Sequence, residues 1–268
     1  MAREQPLRRP DPVQRLRVRY AKLGAMRFAS HRDIARALER ALRRAEIPVA
    51  YSSGFSPHPR LSYANPAPTG AASCAEYALL GLAQEQDPEQ VRRALTEALP
   101  AGLPVTSVRQ AAPGEKLAEL LTASLWRVGL DAADPGRLAE AVERLRHGDG
   151  EVVVRRQSGR GERVLDVRSA LRGLRLDGAA AEVGLAVLLE HGAPSVRPDD
   201  VVAALVQLDP ELACPDARFM RWAQGRLAGL APSLGDDGAV LMDGLVLPPG
   251  EDDPSGVLRV VATPDAPN

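Results

Sequence analysis

Cysteine is nearly missing from this 268-residue chain: Cys74 and Cys214 stand alone and far apart. Two isolated thiols build neither a disulfide framework nor a cysteine-ligated zinc or iron–sulfur centre. Lysine is as scarce, at positions 22 and 116 only, and aromatic residues make up 3% of the chain. No apolar run reaches the roughly 18 residues that a membrane-spanning helix requires. Residues 1–14 are charged and proline-rich, without the apolar centre of a signal peptide. The expectation is a cytoplasmic protein with no membrane partner. Walker A, GxGxxG, GxSxG and HExxH patterns are all absent, so NTP hydrolysis, Rossmann cofactors, serine hydrolysis and zinc proteolysis lack support. No cofactor is expected.

What is present is a globular composition, 45% hydrophobic, and a strong charge asymmetry under a net charge of −1. Residues 1–60 hold thirteen arginines and Lys22 against five acids, a net of +9. Residues 231–268 hold Arg259 against seven acids, a net of −6. A basic head points to an anionic partner. Arginine in place of lysine also follows from a GC-rich genome, so placement carries more information than count.

The order of elements repeats. Leu16–Tyr20 alternates apolar and basic residues, as a half-buried strand does. Ser30 is placed to cap a helix, with Asp33 three residues on. Ile34, Leu38, Ala41 and Ala45 share one face at about 100° per residue. Strands follow near Arg60–Ala64 and Glu76–Leu82. Asp87-Pro88-Glu89 opens a second helix, and Leu103–Arg109 reads as a closing strand. This is a β-α-β-β-α-β, ferredoxin-like unit.

The pattern restarts with a strand at Ser124–Asp131, a helix after Asp134-Pro135, and a hairpin over Glu151–Arg168 turning at Ser158–Gly161. A strand at Ala181–Glu190 and a helix from Pro198 follow, then a short amphipathic stretch at Phe219–Leu227. The expected fold class is α+β, two tandem ferredoxin-like (βαββαβ) units, the second elaborated. The expected organisation is a flexible arm at 1–14, a ferredoxin-like domain with a basic helix at 15–112, a second α+β domain at 113–230, and an acidic Gly/Pro-rich tail at 231–268. The tail is expected to be loose or to form a poorly packed hairpin around Val240–Val246.

Arg32, Arg36, Arg40, Arg43 and Arg44 fall away from the apolar face of the first helix. Like charges at four-residue spacing destabilise an isolated helix, so such a stripe wants a polyanion or plain solvation. Arginine contacts phosphates bidentately and releases their counterions. Arg17 and Arg19 on the outward face of the first strand, Arg27 at its end and Arg60 beyond the next loop extend the surface. Tyr51, Phe55 and Tyr63 lie close to it in sequence, and aromatics beside arginine suit single-stranded RNA. Packing is the competing role for these rings, above all for Tyr20 on the apolar side of its strand. His31 opens the helix and His58 is held between Pro57 and Pro59. Two such histidines are the catalytic candidates, for acid–base cleavage of RNA. Two histidines with only Asp33 nearby are too few for a metal site. His147 and His191 are expected at the surface.

Arg27-Phe28-x-Ser30-His31-Arg32-Asp33, Arg40-Ala41-x-Arg43-Arg44-Ala45, the run Ile47–Arg60 with Gly54-Phe55-x-Pro57-His58-Pro59, and the Pro68-x-Gly70 turn resemble the radical-SAM-linked proteins of the DUF2344 type. Asp166-Val167-Arg168 and Ser195–Asp199 fit the same family more loosely. The resemblance implies a partner: members occur fused to, or encoded beside, a B12-binding radical SAM protein. This chain has no CxxxCxxC motif and would be the stand-alone companion. The expectation is an RNA-binding accessory protein working with that enzyme on ribosomal or transfer RNA, more a binder of structured RNA than a catalyst. The alternatives are a metal-independent ribonuclease or RNA-modifying enzyme using His31 and His58, and a module that docks the radical SAM partner without RNA.

Overall fold

The computed structural model describes residues 9–130, 134–159, 161–177, 183–212, 214, 216–227, 245–248 and 251. The protein is mixed α+β with mostly antiparallel sheet. It forms two compact units: one runs up to Glu119 and includes Glu251, the other runs from Leu120 to Pro248.

The first unit begins with β1 (Gln14–Lys22), a 3-10 helix (Gly24–Phe28) and α1 (His31–Arg44). It continues with β2 (Leu61–Ala64), β3 (Ala72–Leu82), α2 (Pro88–Ala98) and β4 (Val105–Gln110). The strands lie in the order β4-β1-β3-β2, each neighbour antiparallel. Alternation along β1 sends Leu16, Val18 and Tyr20 to one side. There they join Ile34, Leu38 and Ala41 of α1 and Val91 and Leu95 of α2 in one core. Burying a side chain of this size is worth about 1.5–3 kcal/mol, so the two helices are held by their apolar stripes. Asp87 accepts from the Glu89 amide, and Pro88 follows it at the first helical position.

The second unit opens with β5 (Ala123–Gly129), α4 (Pro135–His147) and a hairpin of β6 (Val153–Ser158) and β7 (Gly161–Asp166). A helix of four residues precedes it at Leu117–Leu120 (α3), and another follows the hairpin at Val167–Ala170 (α5). Then come β8 (Leu171–Leu176), β9 (Gly184–Glu190), α6 (Pro198–Leu208) and β10 (Arg218–Leu227). The main strands lie in the order β10-β5-β9-β8. With the hairpin set aside, the last, first, third and second strands are neighbours in both units. The stretch at Phe219–Leu227 is thus a full strand. Its alternation is broken by a register shift between Arg221 and Ala223, which hid the pattern. The tail strand β11 (Leu245–Val246) pairs with β10. Residues 240–244, where a hairpin was expected, lie outside the described residues, as does nearly all of the acidic tail. Among the described residues, no helix is long and apolar enough to cross a membrane.

Candidate functional site

The start of α1 is built from both sides. Lys22, buried at the end of β1, donates to the carbonyls of Ala67 and Pro68 at 3.3 and 3.0 Å. Glu76 of β3, also buried, accepts from the Ala67 amide at 3.1 Å. The Gly70 amide donates to the Arg27 carbonyl at 2.8 Å. Gly70 holds φ at +95°, a left-handed turn that a side chain would strain. These ties fix the loop before β3 against the 3-10 helix. The Arg27 guanidinium lies over the Phe28 ring, 4.6 Å from its centroid, and Phe28 is 59% exposed. Ser30 caps α1: its hydroxyl oxygen accepts from the Asp33 amide at 3.3 Å and its O–H donates to the Asp33 carboxylate at 2.6 Å. That O–H holds the Asp33 carboxyl below its usual range, helped by Arg36 and Arg32. His31 is exposed, and its ring meets Tyr63 edge-on at 4.8 Å and 86°. Burial, with the charge of Glu39, pushes the Tyr63 hydroxyl up, and that hydroxyl has no hydrogen-bond partner among the described residues.

Arg32, Arg36, Arg40, Arg43 and Arg44 are all exposed. Arg44 turns aside to donate to the Ala98 carbonyl at 3.1 Å. Among the described residues, the other four form no ion pair. The apolar positions of α1 leave them no other face, so the stripe is a row of exposed positive charge, with the Asp33 carboxylate near Arg36 and Arg32 at its start.

The loop between Ala50 and Arg60 is closed by hydrogen bonds. The Ser52 amide donates to the His58 carbonyl at 2.8 Å, and the His58 amide to the Ser52 hydroxyl at 3.0 Å. Gly54 at its tip has φ +123°, and Phe55 beside it is 79% exposed. Tyr51 is half-buried under the Arg9 guanidinium, 5.4 Å away. Between the Arg9–Val13 segment and Val49–Tyr51 lies a hollow of about 350 Å³. Arg60 meets Asp11 at 3.4 Å on the surface. His58 is exposed, and no hydrogen bond or ring contact joins it to His31.

Arg17 and Arg19 correct the expectation of an open outward face. They do leave the apolar side of β1, but both are buried, at 2% and 3% exposure. Arg17 pairs with Glu115 at 2.8 Å, and Glu251 lies 3.6 Å from both arginines. Glu251 also accepts from the Ser107 hydroxyl at 3.3 Å. The acids come from the connector and from the tail, so nothing near β1 in sequence announced them.

His191, expected at the surface, is half-buried. Its Nδ1–H donates to the Leu121 carbonyl at 2.8 Å, which leaves Nε2 to accept from the Ser124 hydroxyl at 3.0 Å. Ser124 in turn accepts from the Trp126 indole N–H at 2.7 Å, and the Arg221 guanidinium lies over that ring at 5.3 Å. Burial pushes the His191 imidazole down. His147 is exposed at the end of α4, 3.5 Å from Glu143. Among the described residues, no group of three or more His, Cys, Asp or Glu side chains is placed to hold a metal.

The first unit of this α+β protein thus carries a solvent-facing arginine row on α1 and two exposed phenylalanines, Phe28 and Phe55. The family model described as "Uncharacterized protein conserved in bacteria (DUF2344)" matches residues 15–198, and the chain belongs to that family. No curated protein matches. Among solved structures the chain is similar to a heavy metal efflux pump at 12% identity and a TM-score of 0.21. That match covers 82% of this chain and 29% of the pump, so the chain spans under a third of the pump's length. A likeness of that degree carries no argument.

Proposed function

We propose that this protein is an RNA-binding accessory protein that works with a separate radical SAM enzyme in the modification or processing of ribosomal or transfer RNA. The observation that carries the reading is the row Arg32, Arg36, Arg40 and Arg43, exposed and without ion pairs among the described residues. A folded helix that keeps four such charges in a row pays a repulsion of a few tenths of a kcal/mol per pair, which a phosphate backbone would reverse. Phe55, Arg27 and Arg60 border the same unit and would add stacking and charge. Each unit is read as ferredoxin-like, which the shared strand order and alternating helices support. The radical SAM partner is what the sequence resemblance implies. A reading with His31 and His58 as a catalytic pair has no contact between them in its favour.

The test is crosslinking of the tagged protein to RNA in its native cells, with sequencing of what is recovered. A sharp footprint on one RNA is expected. No enrichment over an untagged control, in cells where a radical SAM protein co-purifies, would replace this reading with protein docking alone.

A further inference from the structure

The chain has three phenylalanines, and two of them, Phe28 and Phe55, stand in solvent. Phe28 differs from Phe55 in what lies against it. One face of its ring sits under the Arg27 guanidinium at 4.6 Å, and 59% of the residue remains open. No carboxylate pairs with Arg27 among the described residues. Its backbone is held by the Gly70 amide and by the capped start of α1, so the stack rests on a fixed base. Leaving this ring exposed forgoes the stabilisation that burial supplies. A guanidinium behind an aromatic face adds positive charge where a flat, electron-rich ring would settle.

Position adds the second argument. Arg32, Arg36 and Arg40 follow one another at about 6 Å along the axis of α1. Phe28 stands four residues before Arg32, within about 14 Å even for a fully extended chain. The ring therefore lies within that distance of the first arginine of an exposed row. A polyanion on the row would bring its bases to the ring. Paired bases are already stacked and unavailable, and the major groove of an RNA duplex is too deep and narrow for side chains to read.

We propose that Phe28, backed by Arg27, is a stacking platform for one unpaired nucleobase, so that the RNA held by α1 is single-stranded or looped where it meets the helix. This rests on the RNA-binding reading above and narrows its substrate class.

The experiment measures binding of a short fluorescent oligoadenylate and of a blunt RNA duplex of equal length, over a series of salt concentrations. The proteins are the wild type, Phe28→Ala, Phe28→Trp and the triple variant Arg36→Ala, Arg40→Ala, Arg43→Ala. The ring is exposed, so the Phe28 variants should melt like the wild type. Phe28→Ala is expected to weaken binding of the single strand by about 5- to 150-fold, with the salt dependence unchanged. Duplex binding should not change. Phe28→Trp should restore affinity, with its indole fluorescence quenched by the oligoadenylate. If Phe28→Ala binds both RNAs as the wild type does while the arginine variant loses affinity, the platform is refuted and RNA binding stands. If the wild type binds neither RNA, both ideas fall. If Phe28→Ala loses a protein partner and keeps its RNA affinity, the ring is a protein contact and the proposal is wrong.

Discussion

Buried charge decides the behaviour of single residues in the first unit. Arg17 and Arg19 are enclosed with Glu115 and Glu251, whose side chains are 7% and 1% exposed. Removing one partner of a buried pair leaves a charge with neither water nor counterion, at a cost of about 3–5 kcal/mol. Glu251→Ala should therefore lose about 3 kcal/mol in chemical denaturation, and Glu251→Gln less, because the amide still accepts from Ser107. Equal stability of Glu251→Ala and wild type would show that the tail contact is dispensable. In the second unit a half-buried group, His191, sets a pH dependence. Its folded pKa is lowered by burial and by Arg221, against the opposing pull of the Leu121 carbonyl and Glu190. The sign follows from linkage: the unfolded chain takes up a proton near the ordinary value of 6.5 that the folded chain refuses. Stability contributed by His191 is therefore full above that value and falls as the pH drops below it. Melting temperatures measured from neutral to mildly acid pH should fall more steeply for the wild type than for His191→Gln.

Helices and strands respond to local rules to different degrees, and so did their legibility. Ser30 as the cap of α1 could be read from Ser30-x-x-Asp33 alone, and Ser30→Ala should cost about 0.5–2 kcal/mol, seen as a lower denaturation midpoint with an unchanged slope. The helix periods at Ile34–Ala41 and Val91–Ala98 and the Asp-Pro starts at Asp87 and Asp134 were equally plain, because cap chemistry and a 3.6-residue stripe are written in adjacent residues. Strand β1 showed by its alternation which side chains leave the core. It could not show that Arg17 and Arg19 are covered, since Glu115 and Glu251 reach them across large sequence separations. β8, short and preceded by the single turn α5, offered too little pattern to be expected. β10 was read as a mere amphipathic stretch because its bulge at Arg221 breaks the alternation. The site divided in the same way. The exposure of Arg32–Arg43 followed from the helical wheel, whereas the Arg27–Phe28 stack and the His31–Tyr63 contact needed the fold, and Phe28 carried no signal beyond its rarity.

At the scale of the whole molecule, the two units share one strand order although their residues differ, and only the element order in the sequence hinted at it. The charge asymmetry of the chain takes physical form in α1. It is there that the central claim is exposed to test. The most direct measurement is a salt titration of RNA affinity, comparing wild type with the triple variant Arg36→Ala, Arg40→Ala, Arg43→Ala. Each lost contact to a single strand removes about 0.7 units from the slope of log K against log salt. The account predicts weaker binding and a slope shallower by about two units if all three arginines meet phosphates. Parallel lines of equal affinity would contradict it.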